Sequence, residues 1–259
     1  LRNNIETYPH LRLFEQSHGG PALGRNLGVE KSKGELIVFI DSDLVVDKFF
    51  LRNHIDSLFR AWKKLGNRKC FTYGSVINTS NFSNPNSEPF KLQDLSWAYF
   101  ATGNVAIDKN VLEISGLFDT SFRLYGWEDL ELGERLRNMG VKLIKCPKAI
   151  GYHWHPALAL DQIPQLIRIE KERAKMGLVF YRKHPTLRVK FIIQYTFFHL
   201  CLWEFLTFGG LINTKTLRPL LAFLLKIGKA GLAMELLRIP LNLIGVRQIF
   251  REASLIGLR

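Results

Sequence analysis

Three clusters in this 259-residue sequence have the residue types and spacing that metal and proton chemistry require. The first is Asp41-Ser42-Asp43, two carboxylates one residue apart, placed directly after the apolar run Leu36–Ile40. A short apolar run that stops at acids reads as a buried strand ending at the carboxyl edge of a sheet, where open α/β folds bind ligands. There the pair can hold a divalent cation and, through it, a diphosphate. Alone, the same pattern also describes a solvated turn with helix-capping aspartates.

The second cluster is Gly126-Trp127-Glu128-Asp129-Leu130-Glu131, reached through the aromatic stretch Phe118–Tyr125. Acids in the first turn of a helix are favoured by its dipole, which is the structural reading. The chemical reading is a general base for an incoming hydroxyl, and only one of Glu128 and Asp129 can take it, because neighbours on a helix face different ways. The third is Gly151-Tyr152-His153-Trp154-His155-Pro156. If extended, it projects His153 and His155 to one face, a spacing suited to metal ligation or equally to an inert surface pair. A glycine-rich approach to a helix, Gly19–Gly28, could bring backbone N–H groups and Arg25 to a phosphate. It has neither dinucleotide nor P-loop spacing.

The elements that must position these residues alternate, which predicts an α/β sheet domain over residues 1 to about 160. Leu11–Glu15 reads as a short strand, Pro21–Lys31 as a helix ending near Gly34, and Leu36–Ile40 as a buried strand. Lys48–Leu65 has helical spacing, Cys70–Asn78 is strand-like, and Thr79–Glu88, rich in Asn, Ser and Pro, reads as an exposed loop. Glu128–Met139 fits a helix closed by Gly140.

Composition excludes a disordered polyelectrolyte, a disulfide miniprotein and a collagen-like repeat: 47% of residues are hydrophobic, 23% charged, and the net charge is +13. Cys70, Cys146 and Cys201 are widely spaced and fit a reduced compartment better than a disulfide framework or a thiolate zinc site. Charge is uneven. From Pro185 to Arg259 there are ten basic residues against three acidic ones, mixed into the longest apolar runs. That mixture points to an anionic membrane surface more than to nucleic acid, which is not expected as a partner because the positive charge is mixed into apolar runs and forms no basic stripe with stacking aromatics.

Taken in order, the fragments "GGPALGRNLGVEKSKGELIVFIDSDLVVD", "ATGNVAIDKNVLEISGLFDTSFRLYGWEDLELGERLRNMGVKL" and "GYHWHP" resemble the family 2 glycosyltransferases of the GT-A fold, over roughly residues 10 to 156. The resemblance implies a Rossmann-like, nucleotide-sugar-binding sheet domain. It implies that Asp41 and Asp43 bind Mg²⁺ or Mn²⁺ and the donor diphosphate, with Asp43 the more direct ligand and His153, ahead of His155, as the further one. Asp129 is then the catalytic base, with Glu128 beside it at the acceptor site. Gly103 and Asn104 correspond to the loop bordering the donor sugar, and Arg25 with Asn26 to the helix beside the nucleotide, although Gly24 stands where alanine is usual. Inversion at the anomeric carbon follows from single displacement, given the resemblance and the lack of an obvious second carboxylate nucleophile.

The same resemblance implies a departure. Nothing like the family's opening strand–helix–strand with its Asp-rich "DDGS" segment precedes Leu11, so the first strands and the base-binding half of the donor site are expected to be missing. The expected organisation is a GT-A domain over residues 1–185 and a helical, membrane-associated tail over 186–259. Within the tail, Phe191–Ile212 is 22 residues long, near the roughly 20 that span a bilayer, but contains His199 and Glu204. Helices lying in the membrane interface are the favoured reading, ahead of a transmembrane hairpin or a soluble packing surface. The leading expectation is a metal-dependent inverting transferase at the cytoplasmic face of a membrane. It would use a UDP- or GDP-sugar and a lipid-linked or polysaccharide acceptor. The alternatives are a noncatalytic scaffold that keeps the fold and binds a partner or membrane, and a metal-dependent phosphohydrolase.

Overall fold

Five strands form one mixed sheet in the computed structural model, which describes residues 8, 10–79, 81–85, 99–154 and 158–258. They are β1 (Leu36–Ile40), β2 (Leu44–Val46), β3 (Cys70–Thr79), β4 (Asn104–Asp108) and β5 (Lys142–Trp154), in the spatial order β1-β4-β3-β5-β2. β3 and β5 run parallel, and the other neighbours are antiparallel. β4, between β1 and β3, is buried along its whole length. Its alternation sends Val105 and Ile107 to one face and Ala106 to the other.

On the first face Val105 and Ile107 join Phe71, Phe100, Phe118, Leu132 and Leu136. That core is covered by α1 (Pro21–Lys31), α3 (Lys109–Ile114) and α4 (Glu128–Asn138). On the second face α2 (Phe50–Leu65) buries Phe50, His54, Leu58 and Ala61, a spacing of one residue per helical turn, against Cys70, Ala106, Cys146 and Ala149. The result is the α/β layering that the alternation of runs predicts.

Two strand expectations need correction. Leu36–Ile40 is a strand, but it is an outer one: only Ile37 is buried, and Ile40 is 51% exposed. Leu11–Glu15 forms no strand; it is exposed and pairs with no strand among the described residues, so its apolar alternation has no sheet to pack on. In the expected loop 79–88, residues 81–85 are irregular, while 80 and 86–88 lie outside the described residues. Short β2 escaped sequence reading, since three residues carry no periodicity.

Beyond a 3₁₀ turn at Leu160–Gln162 come α5 (Ile163–Lys183), α6 (Leu187–Ile192), α7 (Phe197–Leu206), α8 (Arg218–Lys226) and α9 (Ala230–Leu255). α5 packs on α9 through Ala174, Leu178, Phe180, Ile249 and Ala253, and Phe122 from the loop before α4 joins this core. α8 and α9 meet over Ile163, Leu221, Leu224, Leu237 and Leu241. The 22-residue apolar run is therefore no continuous span. It is broken at Gln194 (φ 59) and Phe208 (φ 49), and no helix among the described residues is long and apolar enough to cross a membrane.

Candidate active site

β1 ends at Ile40, and the chain turns at once: Leu44 N–H donates to Asp41 O at 3.1 Å, reversing the backbone into β2. Because β2 pairs with the end of β5, Leu44 lies opposite His153. Asp43 is thereby held twice. Its backbone oxygen accepts from Trp154 N–H at 2.9 Å, and its Oδ1 lies 3.0 Å from His153 Nε2. One ligand atom each from Asp41, Asp43 and His153 falls within 4.8 Å of the others, and all three residues are half-buried. Among the described residues no Lys or Arg forms an ion pair with either aspartate. Two carboxylates and an imidazole with no competing cation fit a divalent metal. His155 lies outside the described residues.

The carboxylates of the second cluster are placed by a strained turn. Gly126 (φ 98) and Trp127 (φ 77) are consecutive left-handed residues, and the chain leaves them directly into α4. For tryptophan that conformation costs about 1–2 kcal/mol, so the surroundings must enforce it. They do so from α5. Trp127 Nε1 donates to Arg173 O at 2.7 Å, the indole stacks on Phe180 at 6.5 Å, and the Arg173 guanidinium lies 5.0 Å from its centroid.

The turn leaves Glu128 and Asp129 in the first turn of α4. Burial, then the adjacent Glu128 carboxylate, pushes the Asp129 carboxyl up to about 6, against the Arg25 guanidinium and the backbone N–H groups of Leu130 and Thr102. Part of the Asp129 surface stays open to solvent. Glu128 is 5% exposed; its Oε1 accepts from Arg25 Nη1, and its Oε2 is buried without a hydrogen-bond partner.

One loop joins the two carboxylate groups. Thr102 acts on Asp129 through its backbone N–H, and the next residue, Gly103, lies so close to Asp41 that a Cβ there would sit 3.0 Å from Asp41 Oδ2. Tyr125 marks the same proximity, and sequence reading missed it. Burial first, and then the carboxylates of Glu128, Asp129 and Asp41, raise its phenol above the ordinary value, against the pull of Arg173. Tyr125 is 56% exposed, so the shift has little energetic weight; what it shows is one phenol within Coulombic reach of both acid clusters. Its signal in sequence was only a tyrosine two residues before Trp127.

The remaining expected site residues divide. Arg25 reaches the site through Glu128 and lies 5.5 Å from the Phe118 ring centroid. Asn26 uses both ends of its amide on the Phe118 backbone, donating to its oxygen at 2.8 Å and accepting from its N–H at 2.9 Å. It fastens α1 to the loop that leads to α4. Asn104 is fully buried: its Oδ1 is bound to His54 Nε2 at 2.8 Å, and its Nδ2 donates to Ser75 O and Ala149 O. It reaches no open surface and holds β4, β3 and β5 together behind Gly103.

Residues 1–113 match the family model for Glycosyl transferase family 2, a segment that contains Asp41, Asp43 and Gly103 and stops short of Asp129 and His153. The chain is 39% identical over 70 residues to a hyaluronan synthase of Pasteurella multocida, covering 27% of this chain and 7% of that protein. To a chondroitin synthase of Pasteurella multocida (strain Pm70) it is 24% identical over 167 residues, covering 51% of this chain and 17% of that one. The chain thus spans less than a fifth of either relative. In fold it is similar to a mannosyltransferase from Pyrobaculum calidifontis solved with GDP-Man and Mn²⁺, with a TM-score of 0.53 at 18% identity, covering 100% of this chain and 74% of that one. The sequence match thus ties residues 1–113 to glycosyl transferase family 2, and the mixed sheet with its helical layers has the GT-A fold.

Proposed function

We propose that the chain transfers a sugar from a UDP- or GDP-linked donor to a hydroxyl of a lipid-linked or polysaccharide acceptor, inverting the anomeric carbon, at the cytoplasmic face of a membrane. Residues 1–185 would form the transferase unit and 186–259 its membrane-associated tail. The observation that carries this reading is the Thr102–Gly103 loop, which touches Asp129 with one residue and Asp41 with the next. A proton acceptor and a candidate metal cluster then lie beside one loop, the proximity that displacement from a diphosphate requires.

Asp41, Asp43 and His153 would hold Mg²⁺ or Mn²⁺, and the imidazole tilts the set toward Mn²⁺, since nitrogen ligands suit the transition ion better. A bound divalent cation stabilises negative charge as it develops on a departing diphosphate. Asp129 accepts the proton of the acceptor hydroxyl as that oxygen bonds to the anomeric carbon. The bond from that carbon to the diphosphate oxygen breaks, and its electron pair leaves with the nucleotide. With its carboxyl near 6, Asp129 is mostly ionised at neutral pH yet more basic than an ordinary aspartate, the compromise a general base needs. Glu128, paired with Arg25, and Tyr125 would line the acceptor side.

Support comes from the family match, from two polysaccharide synthases among the relatives, and from a fold neighbour solved with a nucleotide sugar. The test is calorimetric titration of UDP and then GDP into the protein with and without Mn²⁺, wild type against Asp43→Ala. Mn²⁺-dependent binding that weakens at least tenfold in the variant is expected; nucleotide binding indifferent to both metal and Asp43 overturns the reading.

A further inference from the structure

α7 is an apolar helix that buries none of its residues. Phe197, Phe198, Cys201 and Phe205 recur at helical spacing along one face and are exposed, Phe197 by 73% and Phe205 by 76%. The stripe continues through Phe208 and Leu211 in the following turn. Another part of α7 lies against α9, where Arg247 clamps Glu204 through two bonds of 2.7 and 2.6 Å. The carboxylate that opposes apolar burial is therefore neutralised within the fold. A contiguous aromatic patch of this kind marks an interaction surface.

Charge identifies the occupant. Lys215, Arg218, Lys226 and Lys229, which follow the patch in the chain, are exposed and form no ion pair among the described residues. Glu204 and Glu235, two of the tail's three acids, are paired with Arg247 and Arg238. A second copy would press one cationic tail against another, which is repulsive. An anionic bilayer meets both features, hydrocarbon for the phenyl rings and headgroups for the ammonium and guanidinium groups. At 1.5 Å per residue the ten residues of α7 extend about 15 Å, half of the roughly 30 Å hydrocarbon core, so the helix fits the interface and not a span.

We propose that α7 and the turn through Leu211 embed in the surface of an anionic lipid bilayer, with the cations of residues 215–229 on the headgroups. This rests on the membrane placement proposed above and assigns it an element and a lipid charge. The surface adjoins the site. Gln194, just ahead of α7, accepts from Trp203 Nε1 at 2.6 Å and shares with Trp127 a crevice of about 40 Å³. A docked α7 therefore holds the Trp127–Asp129 turn near the bilayer, where a lipid-linked hydroxyl is presented.

The experiment is flotation of the full chain with phosphatidylcholine vesicles, with and without phosphatidylglycerol. Wild type is compared with Phe197→Ser/Phe205→Ser and with Lys215→Ala/Arg218→Ala/Lys226→Ala. Binding to the anionic vesicles is expected, falling at least tenfold in the phenylalanine variant. Each removed cation should weaken it about fivefold, roughly a hundredfold for three. These side chains are exposed, so unchanged thermal melting shows that each variant is folded. Equal binding to neutral vesicles, no binding, or a dimer in solution that the phenylalanine variant dissolves would each overturn the proposal. Titration of UDP with Mn²⁺ into the same variants separates the two readings: loss of vesicle binding with intact nucleotide binding concerns the tail alone.

Discussion

Arg25 in α1 donates to Glu128, the first residue of α4, across 103 positions of sequence. The pair closes one side of the site. It neutralises a carboxylate that is 5% exposed, and it places a cation whose field opposes the rise of the Asp129 carboxyl. Structure and proton chemistry are thus coupled through one guanidinium.

Arg25→Ala leaves Glu128 buried and unpaired, a change that costs about 3 kcal/mol or more. With the cation gone, the Asp129 carboxyl moves further up. Urea unfolding reads the first effect. A shift of the acidic limb of the transfer rate to higher pH reads the second, and an unmoved limb would remove Arg25 from the electrostatics of the base.

Asp129 itself gives opposite signs for activity and stability. Its folded value of about 6 lies above the ordinary 3.8, so the protonated form favours folding. That contribution is full below about pH 4 and is lost as pH rises through 6. Asp129→Asn should therefore be more stable than wild type at pH 8, by about 3 kcal/mol, with the advantage gone near pH 4. The same substitution should abolish transfer. In wild type the rate should fall about tenfold per pH unit below 6, as expected for a base that must be ionised.

Metal binding should follow the ligand set. Asp43→Ala removes a carboxylate already aligned with His153 at 3.0 Å and should weaken both Mn²⁺ and Mg²⁺. His153→Ala should weaken Mn²⁺ more than Mg²⁺, because the lost ligand is a nitrogen. Mn²⁺ titration followed by paramagnetic resonance, with Mg²⁺ as competitor, checks the order; equal losses would place the imidazole outside the coordination sphere.

The turn into α4 can be tested against an internal control. Gly126 has φ 98, and a Cβ there would lie 3.2 Å from Arg173 Cγ, whereas Gly140, at φ 74, has nothing within 4 Å. Gly140→Ala should cost about 1 kcal/mol from backbone strain alone, and Gly126→Ala about 2 kcal/mol or more. Only Gly126→Ala should also lower transfer, since it moves the turn that aims Asp129. Equal stability losses by thermal unfolding would show that the Arg173 contact is unimportant.

Local pattern determined much of this protein. The apolar run Leu36–Ile40, the helical spacing in α1, α2 and α4 and the Gly140 stop signal each state a backbone conformation within a few residues, and the structure has those elements. Asp41, Asp43, Asp129 and His153 were legible as chemistry because carboxylate pairs after a strand and histidines in an extended segment have few other uses together. Tertiary structure alone decided what met what. The β2–β5 pairing sets His153 against Asp43, and the loop at 102–103 joins two acid clusters that are more than 80 residues apart in the chain. It also withdrew Asn104 into a buried network with His54 and made Leu36–Ile40 an outer strand. The physical reason is range: hydrogen-bond periodicity acts over one turn or one strand, while sheet order, burial and the field at Asp129 are set by partners the local pattern does not name.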